Sequence, residues 1–147
     1  MRAVVQRVSE ASVTADGRET GKIGGGLLIL LGISVDDIEE DVEYLANKIL
    51  KLRIFDDKEG RMNLSLLDTK GDILIISQFT LYGDCRKGNR PSYDKAAGSE
   101  SAKPLYEMFV KNLRESGLKV EEGSFGAFME VSLTNSGPVT IILDSLR

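Results

Sequence analysis

Two uninterrupted apolar runs, Leu27-Leu28-Ile29-Leu30-Leu31 and Ile73-Leu74-Ile75-Ile76, constrain the fold more than any other feature of the chain. Successive side chains of a strand point to opposite faces, so strands apolar at every position must be covered on both sides. Helical spacing of apolar residues occurs in two stretches, through Ile38, Val42, Leu45, Ala46, Ile49 and Leu52 and through Ala102, Leu105, Tyr106, Phe109, Val110 and Leu113. Two helices cover one face of one sheet, and the other face needs a second sheet or a partner. The expected fold class is therefore α/β, a layered sandwich of mixed, largely antiparallel β-sheets with two helices packed on one side. A chain of 147 residues fits a single domain, residues 1–147.

In order, residues 1–9 and 11–15 alternate as strands, and Asp16-Gly17 predicts a hairpin into a strand over 19–23. Gly24-Gly25-Gly26 lacks the Lys-Ser/Thr pair and the following helix of a phosphate loop, and reads as a bend or a close backbone approach. Asp36 and Asp37 are expected to open the first helix, and Ser99 to Ser101 the second, with Pro104 in its first turn and Gly117 after its end. Between them lie a short strand at 53–55, a turn-rich segment at 56–60 and the central strand 72–79. Two final strands, 127–134 and 139–144, are joined by Asn135-Ser136-Gly137-Pro138.

An absence narrows the chemistry: the chain contains no histidine and one cysteine, Cys85. Ser-His-Asp and Cys-His catalysis, His-ligated zinc and a thiolate metal cage are thereby excluded. No acidic loop has calcium-loop spacing, so neither a metal nor another cofactor is expected. The lone cysteine fits a reducing compartment, no apolar run approaches the ~20 residues of a membrane span, and a cytoplasmic location without a membrane is expected. A net charge of −4 argues against broad binding to DNA or another nucleic-acid backbone. Charge is segregated, however: acids crowd residues 36–43, while Arg86, Lys87, Arg90 and Lys95 gather after the central strand.

Ser77-Gln78-Phe79-Thr80 follows the second apolar run where a buried strand turns polar. Strand ends present polar side chains and unpaired N–H groups from a rigid scaffold, although the same residues also describe an ordinary capped turn. Together with Cys85-Arg86-Lys87-Gly88-Asn89-Arg90-Pro91-Ser92, Asn135-Ser136-Gly137-Pro138-Val139-Thr140 and the opening Met1-Arg2-Ala3-Val4-Val5-Gln6-Arg7-Val8, the chain resembles the D-aminoacyl-tRNA deacylase family. It departs at Ser136, where an acid is common, and at Gly83, where alanine is common. The resemblance implies a homodimer with sites at its interface, hydrolysing the ester of a D-amino acid, and of glycine, on the acceptor end of tRNA. Ser77, Gln78, Phe79 and Thr80 are implied to line the pocket as the catalytic set. Gly137 and Pro138, joined by a cis bond, are implied to check chirality from the other subunit, with Arg7, Phe125 and Met129 supporting or lining the pocket.

An aminoacyl ester is already activated, so the enzyme must mainly place water and stabilise an oxyanion, which backbone N–H groups can do. Gln78 offers an amide to orient the substrate. The base is open between the vicinal hydroxyl of the substrate ribose and Thr80, which has no base in its local sequence. Arg86, Lys87 and Arg90 are candidate phosphate contacts in a loop that would otherwise be simply solvated. Two rival functions remain: a non-catalytic RNA-end binding module, and a hydrolase of small esters using Thr80 as nucleophile.

Overall fold

The computed structural model describes residues 1–145. The first expected pair of strands is one continuous strand, β1 (Arg2–Ala15), which turns through Asp16 and Gly17, both at positive φ, into β2 (Arg18–Ile23). The apolar runs become β3 (Gly26–Gly32) and β6 (Asp72–Ser77), which pair in parallel. Between them lie α1 (Glu39–Lys51), the small hairpin of β4 (Phe55–Asp56) and β5 (Met62–Leu64), and a short helix α2 (Leu66–Thr69) that lacks a readable apolar stripe. The chain ends with α3 (Ser99–Arg114), β7 (Val120–Glu122) and β8 (Met129–Asp144).

One six-stranded sheet results, in the order β2-β1-β3-β6-β7 with β8 on β1. One edge of β1 pairs along β8, while its other edge is shared between β3, over residues 2–8, and β2, over residues 11–15. The far half of β1 thus overhangs β3 and carries β2 back across β6 and β7. There, a Cβ on Gly21 would stand 3.0 Å from Glu122 O and 3.1 Å from Leu74 Cδ1. The layered α/β class holds, and the second layer proves to be the same sheet folded over itself.

This geometry covers both faces of the apolar strands. Leu27, Ile29 and Leu31 of β3 and Ile73 and Ile75 of β6 pack with Val42, Leu45, Ala46 and Ile49 of α1 and Tyr106, Phe109 and Leu113 of α3. Leu28, Leu74 and Ile76 face the other way, onto Val8, Ala11, Val13 and Ile23. Burial of such aliphatic side chains contributes on the order of 2 kcal/mol each, so this two-sided core holds the fold together.

Several boundaries differ from expectation. Asp37 does not begin α1; its Oδ2 accepts from Ser34 N at 2.6 Å, and the helix starts after Ile38, whose N–H donates to Asp41 Oδ2 at 3.0 Å. Pro104 lies beyond the first turn, inside α3. The two last strands are one, because β1 continues past the interruption and keeps pairing on both sides of it.

The glycine triplet is a close approach. Gly26 (φ 159°) begins β3 where a Cβ would fall 1.9 Å from Asp72 O, and Asp72 N donates to Gly25 O at 3.0 Å. A Cβ on Gly25 meets nothing within 4 Å. Denaturant unfolding should therefore show Gly26→Ala destabilised by about 3 kcal/mol or more, and Gly25→Ala within about 0.5 kcal/mol of the parent.

Candidate functional site

The central strand stops at Ser77, two residues before its expected end. Its neighbour β3 ends at Gly32, and the chain folds onto that glycine: a Cβ there would lie 3.0 Å from Gln78 O, 3.1 Å from Leu81 Cβ and 3.3 Å from the Tyr82 ring. Gln78 N still reaches Leu31 O at 2.8 Å, and Phe79–Tyr82 then forms a 3-10 turn. The first N–H groups of such a turn have no acceptor within it. Those of Phe79 and Thr80 donate to no backbone carbonyl outside it among the described residues. Side chains follow the same geometry. Gln78 Nε2 donates to Thr80 Oγ1, and Phe79, 56% exposed, meets Tyr93 edge-on at 5.1 Å.

Arg2, which the alternation of β1 marks only as an outward strand residue, ties this turn to the sheet. Its Nη1 donates to Leu81 O at 3.1 Å, its guanidinium lies 5.3 Å from the centre of the Tyr82 ring, and its Nε donates to Asp144 Oδ1 at 2.8 Å. Burial, followed by the charge of Asp37, pushes the Tyr82 phenol above its ordinary 10.0, so the ring meets Arg2 as a neutral aromatic face.

Ser77, Gln78 and Phe79 border a cleft of about 460 Å3 that also takes in Phe125, Met129 and Phe128. Phe125 is held from behind by Tyr106, ring centres 5.3 Å apart, and Met129 Sδ accepts from Ser124 N at 3.3 Å. Two parts of this wall have no signal in the sequence motifs: the start of α3, at Gly98 and Ser99, and Phe128, 81% exposed at the rim. An isolated aromatic after a glycine turn carries no indication of where it points. Among the described residues, no group of three or more His, Cys, Asp or Glu side chains is arranged to hold a metal ion.

Arg7, Gly137 and Pro138 are not part of this cleft. Gln6 pairs with Thr140 and Val8 with Asn135, so residues 136–139 bulge out opposite Arg7 alone. The Gly137-Pro138 bond in the bulge is cis, and both residues are exposed. Arg7 reaches under it, Nε donating to Ser136 O at 3.1 Å and Nη1 to Ile54 O at 2.8 Å.

In the basic loop, Asp84 and Ser92 exchange backbone hydrogen bonds of 2.8 and 3.0 Å. Arg86 folds back on Asp84, Nε to Oδ1 at 2.9 Å, whereas Lys87 and Arg90 are exposed and form no ion pair among the described residues. Hydrogen bonds from the Arg86 side chain and backbone lower the Asp84 carboxyl from 3.8 to about 2. A depressed carboxyl stabilises the loop fully above the unfolded value of 3.8, and that contribution is lost as pH falls through about 2. A carbon-detected NMR titration should place the Asp84 midpoint at about 2 and return it toward 3.8 in Arg86→Gln.

The family model described as D-Tyr-tRNA(Tyr) deacylase matches residues 4–144. A protein of Thermosipho melanesiensis named D-aminoacyl-tRNA deacylase is 64% identical, over 100% of this chain and 99% of its own. One of the same name from Bacillus velezensis is 59% identical, over 99% of each. Among solved structures, one described as c-Myc DNA Unwinding Element Binding Protein superposes with a TM-score of 0.92 at 43% identity, covering 98% of both chains. Another, described as a probable eukaryotic D-amino acid tRNA deacylase, reaches a TM-score of 0.85 at 19% identity over 97% of this chain and 98% of its own, a likeness of fold. A match over nearly the whole chain, with relatives at this identity, shows that the chain belongs to the D-Tyr-tRNA(Tyr) deacylase family.

Proposed function

We propose that the chain, an enzyme of the deacylase class, hydrolyses the ester between a D-amino acid, or glycine, and the terminal ribose of tRNA. One observation carries the reading: the free N–H groups of Phe79 and Thr80 head a turn that borders an apolar cleft, in a chain without histidine. Water attacks the ester carbonyl, the new oxyanion accepts from those two N–H groups, and the carbonyl–ribose bond breaks with the proton passing to the ribose oxygen. Donors fixed by a turn packed on Gly32 need little reorganisation as charge develops.

The vicinal hydroxyl of the substrate ribose relays the proton, taking one from the attacking water while passing its own to the leaving ribose oxygen. Thr80 Oγ1 is partnered by the Gln78 amide, and neither end of an amide is a base at neutral pH, so nothing beside it takes the threonine proton. That contact engages one N–H of the Gln78 amide, and its second N–H and its carbonyl oxygen are assigned to orienting the substrate.

A single chain has half of this site. Gly137 and Pro138 are absent from the cleft lining, while the outer edge of β8 pairs with no strand among the described residues and carries Ile142 at 67% exposure. A homodimer brings the bulge of one copy to the cleft of the other. Carbonyls of Gly137 and Pro138 then accept from the substrate ammonium, and an L side chain runs into the backbone while a D side chain points away. A stable monomer in sedimentation equilibrium at working concentration would overturn the shared site.

The decisive assay compares purified protein on D-tyrosyl-, L-tyrosyl- and glycyl-tRNA. D-tyrosyl- and glycyl-tRNA should be deacylated, and L-tyrosyl-tRNA should react roughly a hundredfold more slowly or worse. A 2′-deoxy terminal adenosine should lower the single-turnover rate about a hundredfold or more, whereas Thr80→Ala should keep most of it. Turnover of none of the three points to an RNA-end binding module, and a trapped covalent adduct on Thr80 to a nucleophilic hydrolase.

Lys87 and Arg90, with Arg86 turned toward Asp84, are assigned to tRNA phosphates. Charge reversal at Lys87 and Arg90 should raise KM several-fold with kcat little changed and flatten the dependence of KM on salt. Unaltered KM at low salt would remove the loop from the binding surface. With a net charge of −4, binding to a DNA element, for which one similar structure is named, is not carried to this chain.

A further inference from the structure

The bulge of residues 136–139 has a second anchor besides Arg7, placed at its neck. In an uninterrupted antiparallel ladder, Arg7 O would accept from a backbone N–H of β8. At the interruption it accepts from the side chain of Asn135, Nδ2 to O at 3.0 Å, and the same nitrogen donates to Val139 O at 3.0 Å. A carboxamide carries two N–H bonds, one for each carbonyl. A single half-buried side chain therefore ties the residue just before the interruption to the last residue within it, and both to the opposite strand.

Each remaining support acts on a different part of the loop. Arg7 grips Ser136 O from below and is itself braced by Ile54 O and Asp56 Oδ1. A Cβ at Gly137 (φ 128°) would meet Arg7 Nη2 at 3.0 Å and Val139 Cγ2 at 2.9 Å, so the dipeptide already fills the space available. Neither Gly137 nor Pro138 has a register partner on β1, and the direction in which they project is inherited from the two ends of the bulge.

We infer that Asn135 is a specificity-determining positioning residue: its amide fixes the aim of the Gly137-Pro138 backbone and, through it, the discrimination between D and L substrates. The inference rests on the reading of that dipeptide as the chirality check. Exclusion by a wall demands placement to a fraction of an ångström, whereas hydrolysis itself is carried by the Phe79 turn. Removing the neck contact should then let the wall yield to an L side chain, with little consequence for a substrate that has no side chain. Asn135→Asp is the severest change, since a carboxylate would face two carbonyl oxygens with no proton to offer. Asn135→Ala leaves both carbonyls to water.

The test measures kcat/KM of the parent, Asn135→Ala and Asn135→Asp on D-tyrosyl-, L-tyrosyl- and glycyl-tRNA. The expected result is a D/L ratio lowered by about tenfold or more in Asn135→Ala and further in Asn135→Asp, with glycyl-tRNA hydrolysis within about threefold of the parent. Amide hydrogen exchange at Gly137 and Val139 should quicken in the same variants while that of Phe79 and Thr80 does not. A D/L ratio within about twofold of the parent, or equal losses on all three substrates, would overturn the inference and leave Asn135 as a strand contact. Should both variants fail to fold, Asn135→Ser, which keeps one short donor, is read by the same criteria. A parent that does not distinguish D from L overturns the chirality reading itself, separately from the role of Asn135.

Discussion

Two strands apolar on both faces, β3 and β6, must be kept from water on both sides, and the architecture follows from how that is done. Helices α1 and α3 close one face. The other is closed because β1, at 14 residues, is twice the length of β3, at 7 residues, and its overhang carries β2 and β8 over the exposed side. A shorter β1 would leave Leu28, Leu74 and Ile76 without Val8, Val13 and Ile23 to pack against.

Both features on which the proposed function rests arise where this regularity ends. The first is the edge of the core: with β3 finished at Gly32, β6 loses its partner, the chain turns onto the glycine, and the leading N–H groups of the turn meet no backbone carbonyl outside it among the described residues. The second is within the ladder itself, where four residues of β8 stand against Arg7. A rigid sheet supports each irregularity from both sides, and polar side chains of distant residues pin it: Arg2 and Asp144 at the turn, Arg7 and Asn135 at the bulge. Chemistry built from backbone groups gains most from such anchoring, because its donors cannot be moved by changing a rotamer.

In the proposed mechanism a chain without histidine contributes placement and charge stabilisation, and the substrate ribose relays the proton. That division suits an ester already activated for attack. It also explains why Thr80, the most tempting side chain of its motif, is partnered by an amide rather than by a base. The proposed rejection of the wrong enantiomer uses the same material, a main-chain wall rather than a tailored side-chain pocket, which would leave the site open to D-amino acids of many shapes.

Much of the protein was legible in its residues. Apolar runs and helical stripes identified β3, β6, α1 and α3, Asp16-Gly17 located a hairpin, and the missing histidine excluded whole reaction classes, because periodicity, turn chemistry and composition act locally. The Ser77 to Thr80 motif and Asn135-Ser136-Gly137-Pro138 were joined only by the family resemblance, and within one chain they lie apart. Only the tertiary structure decided that β1 and β8 are single strands running through an interruption, that β6 stops at Ser77, and that Arg2 reaches the turn, Phe128 the cleft and Asn135 the neck of the bulge. Those outcomes depend on pairings between residues distant in sequence, such as Leu31 with Ser77, Arg2 with Asp144 and Arg7 with Asn135. Register across a sheet and the contacts of a polar side chain are set by what the rest of the fold brings alongside, and no local pattern encodes them.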